Sequence, residues 1–249
     1  MEWVEAFYGK QYEWGGLFEG GVLEHNHAQA ALIEQLAGSG IKRVLELGAG
    51  GGQTAAAVAA MGHSVVAVDL IESAVQNAQA LAENVQSGDM TVIQGDFYEI
   101  DLPNQFDVVC YWDGFGIGTD LDQQRLLARI AGWLKPDGCA LIDCSTPWYA
   151  ASVVGRQWAV GDAIRRYDFD ADQCRWLDKW WLAEDENQAV MQSLRCYSPA
   201  DLRLLLKGTG LSLELVEAGG TMDWEKGEYL KKAPLEKAMV YTAKLVLDR

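Results

Sequence analysis

The chain is short of basic residues: 20 Lys and Arg stand against 36 Asp and Glu, giving a net charge of −16 and a pI of about 4.5. A surface of that sign repels phosphate backbones and anionic lipid unless a local basic patch overrides it. The basic clusters are short, such as Arg165-Arg166 and Lys231-Lys232. No nucleic acid and no membrane is therefore expected among the partners. Apolar runs are short as well, and none approaches the ~20 residues of a membrane helix. The N-terminus, Met1-Glu2-Trp3-Val4-Glu5, carries acid where a signal peptide carries base. Cysteine is scarce and unpaired in spacing. Cys110, Cys139, Cys144, Cys174 and Cys196 include no C-x-x-C, which argues against a zinc site and a disulfide framework. Most lie in apolar strand-like runs, where Cys acts as a small hydrophobe. The expected compartment is a reducing cytoplasm. Histidine is scarce too: His25 and His27 lie two apart without a third ligand, so no metal is expected. His25 stays a candidate general base, with an exposed helix-start residue as the plainer reading; His63 is expected in the turn after a helix. Internal repeats and low-complexity linkers are lacking.

What is present is an alternation. The 249 residues, 49% hydrophobic, suit one α/β domain with an embellishment. The opening stretch is aromatic: Trp3, Phe7, Tyr8, Tyr12, Trp14 and Phe18. A helix is predicted from about His27 to Ala37. Strands are predicted at Arg43–Leu47, Val65–Val68, Thr91–Gln94, Phe106–Tyr111 and Cys139–Cys144. Helices fall between them at Thr54–Met61, Ser73–Asn84 and Leu121–Leu134. Lys135-Pro136-Asp137-Gly138 reads as a turn. The rhythm predicts a doubly wound, mostly parallel sheet with helices on both faces. It breaks from about 148 to 197. There Ala163–Phe169, Cys174–Leu182 and Val190–Tyr197 read as antiparallel strands joined by polar turns, a small insert or cap. A helix opened by Ser198-Pro199 and strands at Leu213–Val216 and Met239–Leu247 close the chain.

The sharpest local signal is Val44-Leu45-Glu46-Leu47-Gly48-Ala49-Gly50-Gly51-Gly52. An apolar strand runs into a glycine loop and then a helix, and glycine lets a backbone turn tightly and lets a ligand come close. A second strand ends in Asp69, about 20 residues on from the loop, where an acid can take both ribose hydroxyls of an adenosine ligand. A third ends in Gly95-Asp96-Phe97. Ligands in such sheets sit at the carboxyl ends of strands, so these three tips converge. Gln53 stands where a dinucleotide fingerprint needs its third glycine, and no Gly-Lys-Ser/Thr marks a P-loop. The alternative reading of the acids is that they cap helices or loops.

This G-x-G-x-G spacing, with acids after the second and third strands, resembles class I S-adenosylmethionine-dependent methyltransferases over roughly Ile41 to Asp143. The turn at Leu134–Gly138 also looks like that family's. The resemblance implies a Rossmann-like α/β fold with a seven-stranded sheet, and S-adenosylmethionine as cofactor. It implies one methyltransferase domain over 1–249, with 1–26 as an N-terminal lid and about 148–197 as the antiparallel cap. By position, Gly48, Ala49, Gly50 and Gly52 would hold the methionine part, with Glu46 orienting the loop. Asp69 would bind the ribose diol with Leu70 beside the adenine. Asp96 would meet the adenine amino group and Phe97 would pack nearby. Tyr111 and Trp112 would border the methionine amino group, and Tyr8, Tyr12 and Trp14 would fold over the cofactor as a lid or else pack on the domain edge.

The tip Tyr111-Trp112-Asp113-Gly114-Phe115-Gly116 faces the acceptor in this family. It lacks the Asn/Asp-Pro-Pro-Tyr/Phe run of many nucleic-acid and protein-amide N-methyltransferases. Asp113 is open to three readings: a catalytic base, an amine anchor, or a loop acid. The tryptophans Trp148, Trp158, Trp176, Trp180 and Trp181 could line an acceptor pocket, pack a core, or form a homodimer contact. Trp180 and Trp181, adjacent on a strand, cannot share one pocket. The cap is expected to serve the acceptor and to leave cofactor binding alone. The expected function is methyl transfer to N or O of a small-molecule acceptor. The alternatives are a protein-modifying methyltransferase and a non-catalytic cofactor-binding module.

Overall fold

Val44-Leu45-Glu46-Leu47 and Val65-Val66-Ala67-Val68 are almost wholly apolar, the pattern of strands covered on both faces, and both lie inside a central sheet. The computed structural model describes residues 2–16, 19–103 and 105–248; Met1 and Phe18 lie outside them. In chain order the elements are α1 (Glu2–Gly15), α2 (Glu24–Ala37), β1 (Arg43–Leu47), α3 (Gln53–Ala60), β2 (Ser64–Asp69), α4 (Glu72–Ala82), β3 (Asp89–Gln94) and β4 (Phe106–Tyr111). Then come α5 (Asp120–Trp133), β5 (Leu134–Ser145) and α6 (Pro147–Ser152), followed by β6 (Gln157–Val160), β7 (Ala163–Asp170), β8 (Arg175–Leu182) and β9 (Asp185–Arg195). The chain closes with α7 (Pro199–Leu205), β10 (Leu211–Ala218), β11 (Thr221–Asp223), β12 (Glu228–Leu230) and β13 (Val240–Leu247).

Seven strands form the main sheet in the order β10-β13-β5-β4-β1-β2-β3, with only β13 antiparallel to its neighbours. The α/β sheet is thus mostly parallel, as expected. The path from β3 crosses back over β1 to reach β4. A crevice opens outside the carboxyl ends of β1 and β4, the switch point where such sheets bind ligands.

Local chemistry accounts for the element ends. Thr119 caps α5, accepting from the Asp122 backbone N–H at 3.2 Å while Asp122 Oδ2 accepts from the Thr119 N–H at 2.8 Å. Ser198 and Asp201 make the same reciprocal pair at α7, whose first residue is Pro199. The α2 helix starts three residues earlier than its apolar period suggests. Asn26 Oδ1 accepts from the Leu23 N–H at 2.9 Å and extends the helix back. The predicted Lys135–Gly138 turn is corrected: it lies inside β5 as an excursion. Phe106 faces Leu134 and Val108 faces Cys139, so residues 135–138 loop out against Asp107 alone. Asp107 holds both sides, accepting from Lys135 Nζ and the Arg43 N–H, each at 2.8 Å.

The insert is a four-stranded antiparallel sheet, β6-β7-β8-β9. Its even-numbered β8 residues Trp176, Asp178 and Trp180 share one face. Trp176 joins Tyr149, Tyr167, Trp158 and Trp224 in one cluster, and Trp180 joins Phe7 of α1 in another. The tryptophans of this sheet are largely core residues. Among the described residues no helix is long and apolar enough to cross a membrane.

Candidate functional site

The three converging strand tips build a pocket. Gly48, Gly50 and Gly52 have φ of 60°, 53° and 79°, left-handed values that favour glycine. A Cβ on Gly48 would sit 3.2 Å from the Tyr111 ring, and one on Gly52 would sit 2.6 Å from Ala78 Cβ of α4. The loop therefore lies as close to the sheet and to α4 as its backbone allows. Asn77 of α4 fixes it further, donating to the Gly51 carbonyl at 2.7 Å.

Asp69 ends β2 beneath this loop. Its Oδ2 accepts from the Gly50 N–H at 2.7 Å and its Oδ1 from the Ile71 N–H at 2.9 Å. Each oxygen keeps a lone pair for a hydroxyl. Burial pushes the Asp69 carboxyl up, and the backbone N–H groups of Ile71, Gly50 and Leu70 pull it back. Leu70, Ile71 and Phe97 give apolar walls. Arg129 holds the segment after β3, its Nε donating to the Phe97 carbonyl at 3.0 Å. Asp96 Oδ1 accepts from the Tyr98 N–H at 2.8 Å. A carboxylate at the second strand tip, apolar walls for a flat base and a glycine-rich loop are a set that fits S-adenosylmethionine.

Of the residues singled out in the sequence, Gly48, Gly50, Asp69, Leu70, Asp96, Phe97, Tyr111 and Asp113 line this pocket. Ala49 ties the loop to β2, donating to the Val68 carbonyl at 3.1 Å, and Gly52 packs on α4. Glu46 is buried in β1. Desolvation, with a smaller contribution from Asp69, pushes its carboxyl up to about 8. The α1 wall is made by Val4 and Tyr8; Tyr12 is half-buried elsewhere on the helix. Tyr8 is set by Gln192 of β9, whose Nε2 donates to the Tyr8 hydroxyl oxygen.

A second, larger cavity lies beyond, bounded by α2, the tips of β4 and β5, the insert sheet and the segment around β11 and β12. Trp112 and His25 face it, as do Tyr167, Trp176 and Asp143. Asp113 is common to the linings of both spaces. Its Oδ1 accepts from the Gly114 N–H at 2.8 Å. Burial raises its pKa, the Gly114 hydrogen bond opposing. The loop after Asp113 is fastened to the insert. Arg175 donates to the carbonyls of Gly118 at 3.0 Å and Gly116 at 3.2 Å, and the Arg195 N–H donates to Gly116 at 2.9 Å. His27 is exposed and His63 is buried at the turn after α3. No group of three or more His, Cys, Asp or Glu among the described residues could hold a metal.

Asp143 carried a signal that sequence reasoning passed over: a carboxylate inside the apolar run Ala140-Leu141-Ile142, near the carboxyl end of its strand. Asn77 and Arg129 carried none, since both read as ordinary polar helix residues.

Residues 44–138 match the family model described as a methyltransferase domain. That stretch is similar to a methyltransferase domain and covers less than half of the chain. Its sequence is 33% identical over 108 residues to a cypemycin N-terminal methyltransferase from a Streptomyces species, covering 43% of each protein. The matched stretch thus spans under half the length of that curated relative. The fold is similar throughout to the CcbJ methyltransferase from Streptomyces caelestis, with a TM-score of 0.76 and 21% identity, covering 97% of this chain and 98% of that one. An S-adenosylmethionine-dependent methyltransferase from Clostridium acetobutylicum gives a TM-score of 0.70 at 14% identity, with 99% of both chains covered. The methyltransferase domain accounts for the glycine loop and the tips at Asp69 and Asp96, while the insert falls outside residues 44–138.

Proposed function

We propose that this protein transfers a methyl group from S-adenosylmethionine to a nitrogen or oxygen of a small-molecule acceptor. The observation that carries this reading is the meeting of two spaces at Asp113: a narrow one under the strand tips and a large one walled by aromatic side chains. S-adenosylmethionine supplies a sulfonium-bound methyl group, so the reactivity comes with the cofactor. The chain's own task is alignment and exclusion of water. Asp69, Leu70, Asp96 and Phe97 would hold the nucleoside half. The Gly48–Gly52 loop, Glu46 and Tyr111 would hold the methionine half. Trp112 faces the acceptor side. The aromatic residues that line its inner side favour a metabolite over a protein surface. Five cysteines with no disulfide fit a reducing compartment such as the cytoplasm.

Calorimetric titration tests the reading. S-adenosylmethionine and its demethylated product should both bind, and NAD should not. Asp69→Ala should weaken the cofactor by about 1–3 kcal/mol through loss of one charge-assisted site. Unchanged affinity in that variant would sink the assignment of the pocket.

A further inference from the structure

The large cavity has an unbalanced charge on its inner wall. Five carboxylates face it, Glu24, Asp113, Asp143, Asp178 and Glu217, against Arg165, Lys231 and Lys232. Two of the cations are committed. Arg165 grips Asp178 through Nε at 3.0 Å and Nη2 at 2.6 Å, and Lys231 Nζ lies 2.6 Å from Glu24 Oε1. Lys232 is exposed and no more than matches Glu217 in number. Asp113, solvent-accessible in the cavity, and half-buried Asp143 have no ion pair among the described residues.

Their hydrogen bonds are few. Asp143 Oδ1 accepts from Thr242 Oγ1 at 2.5 Å, and Asp113 Oδ1 accepts from its neighbour's N–H. Among the described residues no hydrogen bond reaches the Oδ2 atom of either. Desolvation raises both; Asp113 adds to the rise at Asp143, to about 7, while at Asp113 Asp178 adds and the Gly114 hydrogen bond and Arg165 oppose. Trp112, Tyr167 and Trp176 line the same cavity, and aromatic rings attract cations, as Arg165 over the Tyr167 ring at 4.7 Å already shows.

Resting on the methyl-transfer reading, we propose that the acceptor is a primary or secondary amine bound as its ammonium ion, held by Asp113 and Asp143 against the aromatic wall. The position of Asp113 where the two spaces meet gives it a second task. An ammonium N–H proton passes to Asp113 Oδ2. The N–H bond breaks, an O–H bond forms, and the nitrogen keeps the lone pair it needs as a nucleophile. Arg165 does not make this an anion site, because Asp178 already pairs with its guanidinium through Nε and Nη2.

The test compares three ligands of one shape: benzylamine, benzyl alcohol and benzoate. Each is titrated calorimetrically at neutral pH into protein saturated with S-adenosylhomocysteine, which cannot donate a methyl. Benzylamine should bind about tenfold or more tighter than benzyl alcohol, and benzoate should bind weakest. Asp113→Asn and Asp143→Asn should each bring the amine and alcohol affinities together while S-adenosylhomocysteine binding persists. Benzyl alcohol binding as tightly as benzylamine, benzoate binding tighter, or no benzylamine binding would overturn the proposal. So would amine selectivity that survives in both variants. Failure of S-adenosylhomocysteine to bind is a separate result. It would strike the methyl-transfer reading, and the amine preference is still measurable without it.

Discussion

Gly52 and Gly62 both have left-handed backbones, φ of 79° and 94°, yet their surroundings differ. A Cβ on Gly62 meets nothing within 4 Å, whereas one on Gly52 meets Ala78 Cβ at 2.6 Å and Ala78 Cα at 2.8 Å. Gly62→Ala should therefore cost only the left-handed penalty, about 1–2 kcal/mol. Gly52→Ala should cost about 1–3 kcal/mol beyond that, because α4 would have to move. Urea unfolding of the two variants without cofactor measures the difference, and equal losses would mean that α4 yields freely. At this scale the sequence was readable where chemistry needs a residue type at a strand tip. Gly48, Asp69, Asp96 and Phe97 announce themselves by following apolar runs at βα spacing. Side chains that arrive from distant segments do not. Val4 reaches the pocket only because α1 packs on β9, and among the lid candidates Tyr8, Tyr12 and Trp14 nothing local marks Tyr8 as the one that walls it.

The helix α1 and the insert act as one element pair. Trp180 is fully buried against Phe7, and its Nε1 donates to Asp178 Oδ1 at 2.9 Å. The Tyr8 hydroxyl meets Gln192, and Tyr8 also walls the cofactor pocket. On the proposed placement of the cofactor, the insert would support that side through Tyr8 as well as the acceptor side, whereas the sequence pattern assigned it to the acceptor alone. Trp180→Ala should cost about 3–5 kcal/mol of stability. Amide exchange in α1 should accelerate first, and S-adenosylhomocysteine affinity should fall with it. Exchange that rises in β8 and β9 but leaves α1 protected would show that the helix docks independently. Periodicity located β7, β8 and β9, whose runs are long enough to show alternation. It missed β6, β11 and β12, with four, three and three residues, because so short a run has no measurable period.

Across the whole molecule, acidity and burial act together on stability. Burial holds Glu46 at about 8 and Asp143 at about 7, and raises Asp69 and Asp113 in the same direction. The folded chain keeps protons that the unfolded chain releases above about pH 4.5. Unfolding in this range therefore releases protons, and raising the pH favours the unfolded state. Stability of the ligand-free protein should fall from pH 5 to pH 8, and the five thiols that burial raises continue the fall above it. Buried His63, held neutral in the fold, pulls the other way, but only below its unfolded value of about 6.5. Asp107, Asp122 and Asp223 are held low and finish titrating before the window opens. Self-repulsion from the net charge of −16 also destabilises the compact state, and salt separates the two causes. Surface repulsion is screened within about 3 Å at 1 M salt, whereas a buried carboxyl is screened far less. Urea midpoints measured from pH 5 to 8 in high salt should still decline. Glu46→Gln should flatten that decline by up to about 1.4 kcal/mol per pH unit, the contribution of one proton. A wild-type curve that is flat or rising in high salt, or a Gln variant with an unchanged slope, would show that Glu46 is ionised in the fold.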